Sequence, residues 1–170
     1  SEGKTVVYVA VDEEVLGLIA LMDIPSEHAK ATIEYFRKQG IHTTLITGDS
    51  EMTGKAVAKQ LGIDEVIANV MPEDKSRIID EQKEKYGVTA MVGDGVNDAP
   101  ALVNADVGIA MGDGTDVAVE VSDLVLMQNN LSKLVQSHNI SSKMNRVIWQ
   151  NIIFSMAVVA FLIVVSFLGL

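Results

Sequence analysis

The chain has 170 residues, no cysteine and a formal net charge of -10 at pH 7. Without cysteine, disulfides and thiolate metal sites are excluded, and so acidic a chain is a poor partner for a nucleic-acid backbone. The charge is uneven. Residues 1–130 hold all 23 acidic side chains against 10 basic ones, whereas residues 131–170 hold no acid and only Lys133, Lys143 and Arg146 as bases. Two parts in different surroundings are expected.

In chain order, Thr5 to Val11 and Val15 to Leu21 are β-branched, apolar runs, and Asp12-Glu13-Glu14 between them reads as a hairpin turn. Pro25 and Ser26 open a helix to about Lys38, with Ala29, Ile33 and Phe36 at helical spacing, and Gly40 ends it. Ile41 to Ile46 is a predicted strand. Ser50 caps a helix through Leu61, and Glu65 to Ala68 is a short strand. Pro72 at a first helical position, with Glu73 and Asp74 beside the positive end of the dipole, starts a helix to about Tyr86. Val88 to Val92 reads as a buried strand, Asp98 to Asn104 as a helix, and Asp106 to Ala110 and Leu124 to Met127 as strands. Strands alternating with helices predict an α/β fold, a parallel sheet with helices on both faces. In such sheets ligands sit at the carboxyl ends of the strands.

From Leu131 a long polar helix runs through Trp149 and Asn151 into Ile152 to Leu170, 19 residues without a charge. At helical rise this run is about 28 Å long, close to the thickness of a bilayer core. It reads as a membrane span. The three bases precede it, which places residues 1–150 in the cytoplasm.

Two loops fall at predicted strand ends. In Thr47-Gly48-Asp49, a hydroxyl donor, a glycine that admits close approach and a following helix N-terminus suit a phosphoryl group. Asp49 is placed to orient water or a neighbouring loop. In Gly93-Asp94-Gly95-Val96-Asn97-Asp98-Ala99-Pro100, Asp94 and Asp98 are hard oxygen donors of the kind magnesium takes. Two close carboxylates repel each other unless a cation or proton lies between them. Asn97 can donate to a phosphoryl group or a carboxylate. Lys75, early in its helix and against the dipole, is either a solvated surface lysine or an ammonium held over phosphoryl oxygens.

These two loops resemble, together with Met71-Pro72-Glu73-Asp74-Lys75 and Ala105-Asp106-Val107-Gly108-Ile109-Ala110-Met111-Gly112, the second half of a P-type ATPase phosphorylation domain, of the haloacid dehalogenase-like superfamily. The resemblance implies a Rossmannoid parallel sheet with flanking helices, and four regions. Residues 1–22 would be the last strands of a nucleotide-binding domain and its hinge, and 23–130 the C-terminal part of the phosphorylation domain. Residues 131–151 would be a connecting helix and 152–170 the transmembrane helix. It also implies ATP-driven heavy-metal transport at the plasma membrane through an aspartyl-phosphate, with ATP and Mg2+. Asp94 and Asp98 would then serve the metal. Thr47, Gly48, Lys75 and Asn97 would contact the phosphoryl group, and Asp49 and Asp98 would complete the catalytic set.

The family's Asp-Lys-Thr-Gly-Thr, which carries the phosphorylated aspartate, does not occur in these 170 residues. The chain is therefore expected to be part of a longer protein and inactive alone. A single helix between the loops and the span resembles the heavy-metal (type IB) transporters. Met156 to Ala160 is wholly apolar, without the Tyr-Asn pair of copper members or the lysine of zinc/cadmium members, and so resembles the cobalt/iron/zinc branch. Two alternatives stand beside this reading. One is a phosphatase of the same superfamily with Asp12 as nucleophile. The other is a non-catalytic, membrane-tethered binding fragment.

Overall fold

The computed structural model describes residues 5–12, 14–21, 25–26, 28–112, 114–127 and 130–168. Glu13 of the predicted turn, the predicted boundary at 22–23 and the last two residues of the predicted span lie outside them. The chain divides into two compact units, residues 1–132 and 133–170.

The first unit opens with β1 (Thr5–Val11) and β2 (Glu14–Leu21), an antiparallel ribbon with a bulge between Val9 and Ala10. Asp12 sits at its turn with φ +47° and is exposed. Strand β2 carries the apolar side chains Val15, Leu16, Leu18 and Ile19, with Leu18 paired to Tyr8 across the ribbon. All four are exposed.

Helix α1 (Ala29–Lys38) begins later than Pro25-Ser26 suggests, because Ser26 is spent on a turn in which its carbonyl accepts from Ala29 N. Gly40, at φ +77°, ends it as expected. Strand β3 (Thr44–Ile46) is half the predicted run. The reason lies at Thr43, whose amide and hydroxyl both donate to the Asp64 carboxylate and whose carbonyl accepts from Asp64 N and Glu65 N. Those groups are no longer available to extend the strand. Helix α2 (Glu51–Leu61) starts where Ser50 accepts from Thr53 N and stops at Gly62, φ +79°. Strand β4 (Glu65–Ile67) follows. A 3-10 turn, Pro72–Asp74, leads into α3 (Lys75–Tyr86), so Pro72 does open a helical segment.

Strand β5 (Ala90–Gly93) excludes Val88, which is almost fully exposed rather than buried. Here Thr89 N donates to the Asp106 carboxylate, and Thr89 O accepts from Asp106 N. The remaining elements of this unit are α4 (Ala99–Asn104), β6 (Val107–Met111), α5 (Asp116–Val121) and β7 (Leu124–Leu126).

Among the described residues the parallel strands form two hydrogen-bonded sheets, β3-β4 and β5-β6-β7, where one sheet was expected. They share one core. Ile46 of β3 packs against a cluster of Ile79, Met91, Ala101, Leu102, Ala110 and Ala118. Helix α3 bridges the two sheets. Gln82 accepts from the Thr44 hydroxyl on one side, and Ile79 joins the cluster on the other.

The second unit is helical. Helix α6 (Ser132–Leu168) runs unbroken for 37 residues. None of its apolar half is buried, with Phe154, Phe161 and Phe167 among the most open side chains. A core helix of a soluble protein would bury such a face, so lipid is the surrounding that fits.

Candidate functional site

The predicted loops both follow parallel strands at their carboxyl ends. After β3, the Thr47 hydroxyl donates to Asp49 Oδ2 and accepts from Asp49 N, each at 3.1 Å. This closes a tight loop that leaves Gly48 and Asp49 exposed and leads into the capped start of α2. An open cleft of about 320 Å³ lies beside it, lined by Thr47, Asp49, Leu45, Ala29, Gly54 and Val57.

After β5 the chain makes a 3-10 turn, Val96–Asp98, and enters α4. Asp98 is buried at 7% exposure. Its Oδ1 accepts from Lys75 Nζ at 2.5 Å, and its Oδ2 accepts from Asp94 N at 3.4 Å. Gly93 makes this approach possible. A Cβ there would lie 2.8 Å from Asp98 Cβ and 2.9 Å from Oδ2. Asp94 and Asn97 are exposed.

The structure therefore brings Lys75, Asp94 and Asp98 together and pairs Thr47 with Asp49. Asp98 is paired with the Lys75 ammonium, and the Asp94 carboxylate in the same loop is exposed, a hard oxygen donor of the kind a divalent cation takes. Among the described residues no cluster of three or more metal-binding side chains occurs. Magnesium keeps several waters and is commonly held by one or two carboxylates plus substrate phosphates. An exposed Asp94 with Asp98 behind it fits that need.

Sequence reasoning missed three supporting residues. Asn69 adopts φ +55° and donates its amide to Asp49 O at 2.8 Å. Gly114 packs against Asp94 O, and Thr115 N donates to that carbonyl at 3.0 Å. Signals existed. Asn is among the residues most tolerant of positive φ, and Thr115 followed by Asp116 is a helix-cap pattern.

Residues 1–106 match the family described as haloacid dehalogenase-like hydrolase. The chain is 51% identical over 166 residues to a zinc-transporting ATPase of Bacillus subtilis (strain 168), covering 98% of this chain and 26% of that protein. It is 44% identical over 155 residues to a copper-exporting P-type ATPase of Staphylococcus haemolyticus, covering 91% of this chain and 20% of that one. The crystal structure of a zinc-transporting PIB-type ATPase in the E2.Pi state superposes with a TM-score of 0.90 at 39% identity, over 99% of this chain and 28% of that one. The chain thus spans about a quarter or less of the length of these relatives. Parallel strands flanked by helices, with a Gly-Asp-Gly loop at a strand end, agree with that match, and the chain belongs to the haloacid dehalogenase-like hydrolase family.

Proposed function

We propose that this chain is the phosphoryl- and Mg2+-binding part of an ATP-driven heavy-metal transporter that works through an aspartyl-phosphate. The observation that carries the proposal is the convergence of Lys75, Asp94 and Asp98 at the end of β5. The relatives' names, zinc-transporting and copper-exporting ATPases, support it.

In this reading residues 1–22 end a nucleotide-binding domain, 23–130 belong to the phosphorylation domain, 131–151 connect, and 152–170 span the membrane. Residues 1–150 are cytoplasmic. The phosphorylated aspartate comes from sequence outside these 170 residues. Two strand edges support a place for it. Among the described residues β3 is hydrogen-bonded only to β4, and β5 only to β6, although both border one core. Parallel strands are normally paired and covered. A strand between β3 and β5 would bring an aspartate at its carboxyl end between the Thr47 and Asp94 loops.

The roles then follow from chemistry. Thr47, Gly48 and Asn97 bind phosphoryl oxygens, the Thr47 hydroxyl by turning its proton from Asp49 Oδ2 to the incoming oxygen while Asp49 N keeps hold of Oγ1. Lys75 lowers the cost of negative charge building on the transferring group, while Asp98 holds its ammonium in place. Asp94 is the exposed carboxylate that would hold Mg2+, with Asp98 supporting its loop from behind. Bound there, Mg2+ would neutralise phosphate charge and polarise the phosphoryl group.

For the ion, the apolar Met156–Ala160 stretch gave the cobalt/iron/zinc branch, and the relatives' names give zinc, copper and silver. Zinc is common to both, and we propose zinc.

The test uses the full-length protein. Asp94→Ala is expected to lower phosphoenzyme formation from ATP by orders of magnitude, and Lys75→Ala by about 10²-fold or more. Normal phosphoenzyme in Asp94→Ala would refute the metal role. Stimulation of ATP hydrolysis by copper or silver, and not by zinc, would reassign the ion.

A further inference from the structure

We infer that the loops ending the neighbouring strands β4 and β6 set the positions of the two site loops, with Asn69 and Gly114 as positioning residues. The inference rests on the phosphoryl-transfer reading above.

The same construction occurs twice. On one sheet, Asn69 N donates to Asp49 O at 2.8 Å and Val70 N donates to Thr47 O at 3.1 Å. Two successive amides thereby hold the carbonyls on either side of Gly48. The chain delivers them by turning left-handed at Asn69, φ +55°, a conformation that Asn and Gly adopt more readily than other residues. Val70 O also lies 3.4 Å from where a Cβ on Gly48 would stand, so the outer loop directly backs the glycine.

On the other sheet, Thr115 N donates to Asp94 O at 3.0 Å, and Gly114 N donates to Met111 O at 2.8 Å. A Cβ on Gly114 would lie 2.7 Å from Met111 O and 2.8 Å from Asp94 O. Both obstacles are main chain, with no side-chain rotamer to yield. An added methyl group therefore sets the main chain at 114 against that of Met111 and Asp94, and a shift there moves the Asp94 loop. Thr115 is fixed in turn, because its hydroxyl accepts from Ala118 N and caps α5.

Each site loop is thus held through its carbonyls, leaving Thr47, Asp49 and Asp94 to act through their side chains. A displacement of the order of 1 Å at a positioned group can cost about 10²-fold in rate, so these supports belong to the reaction geometry as well as to the fold.

The experiment measures phosphoenzyme formation from ATP across a Mg2+ titration in the full-length protein, with thermal midpoints recorded for every variant. Gly114→Ala is expected to raise the Mg2+ concentration for half-saturation about tenfold, with the level at saturating Mg2+ largely retained. Asn69→Val, which forces a β-branched residue to positive φ, is expected to slow phosphoenzyme formation about tenfold, while Asn69→Gly stays within about twofold of wild type. Asp94→Asn runs alongside. If it leaves the Mg2+ dependence unchanged, the phosphoryl-transfer reading fails. If Asp94→Asn shifts that dependence and Gly114→Ala does not, the positioning inference fails. Should Gly114→Ala not fold, the Asn69 pair decides, and equal rates for Val and Gly at unchanged thermal midpoints overturn it.

Discussion

Lys75 Nζ lies 2.5 Å from Asp98 Oδ1, and the two residues stand at the starts of different helices, α3 and α4. A lysine at a helix N-terminus opposes the dipole, whereas an aspartate there is favoured. The pair cancels the first penalty with the second and ties the two helix starts together. Its side chains are only 19% and 10% exposed, so removing one partner strands a charge. Asp98→Ala is expected to destabilise the folded unit by about 3 kcal/mol. The double variant Lys75→Met with Asp98→Leu is expected to lose clearly less than the sum of its single changes. Urea unfolding in detergent measures Asp98→Ala, the double variant and its two single changes, and additive losses would show the pair to be uncoupled.

The close packing of Gly93 on Asp98 gives a second expectation. Gly93→Ala places a methyl carbon 2.8 Å from Asp98 Cβ and 2.9 Å from its Oδ2. Overpacking of this kind costs typically about 1–3 kcal/mol, and relief requires Asp98 to move away from Lys75. Unfolding midpoint and Mg2+ half-saturation should therefore worsen together. A variant that keeps both wild-type values would show that the loop absorbs the methyl group without moving Asp98.

Acid stability depends on the other end of the sheets. The Thr43 hydroxyl donates to Asp64 and holds its carboxyl below the ordinary value of 3.8, and Arg37 adds to this. Lys85 does the same for Glu65 from 4.5, and Tyr86 and His42 also hydrogen-bond to it. A carboxyl whose folded pKa is depressed contributes stability above its unfolded pKa and loses it as pH falls through the folded value. The contribution of Asp64 is therefore complete above about pH 4 and disappears below it. Asp64→Asn is expected to lower stability at neutral pH and to flatten the stability-versus-pH slope below about pH 4. An unchanged slope in urea titrations across that range would contradict this assignment.

The span makes a fourth expectation accessible. Val159 lies in the apolar half of α6 and is exposed. An aspartate near the centre of a membrane helix costs about 2.5–3.5 kcal/mol of insertion free energy. Val159→Asp should shift the chain from the alkali-resistant membrane fraction towards the extractable one, whereas Val159→Leu should not. Equal extraction of both would place α6 outside the bilayer core.

Much of this was legible in the residues because local chemistry and tertiary context agree. Ser50 and Gly62 bound α2 as a cap and a left-handed stop should, and Pro72 opens the segment that leads to α3. The errors cluster where a side chain captured backbone groups from far along the chain. Asp64 takes Thr43, and Asp106 takes Thr89. Each truncates a predicted strand, and neither partner is near in sequence. Helix α5 was missed because six residues, Asp116–Val121, hold too little periodicity to stand out. At the site, Lys75 and Asp98 were each readable as candidates, but the contact between them required the fold. Asn69 and Thr115 donate to the carbonyls of Asp49 and Asp94, and their residue types signal a left-handed turn and a helix cap but not which carbonyls they reach.

Helix α6 contains neither proline nor glycine from Ser132 to Leu168, and sharp kinks in helices arise mostly at such residues. Over 37 residues it extends about 55 Å. Its polar first half and apolar second half are therefore one stiff shaft. A displacement near Lys133 is therefore carried along the helix to Val159 without an intervening joint.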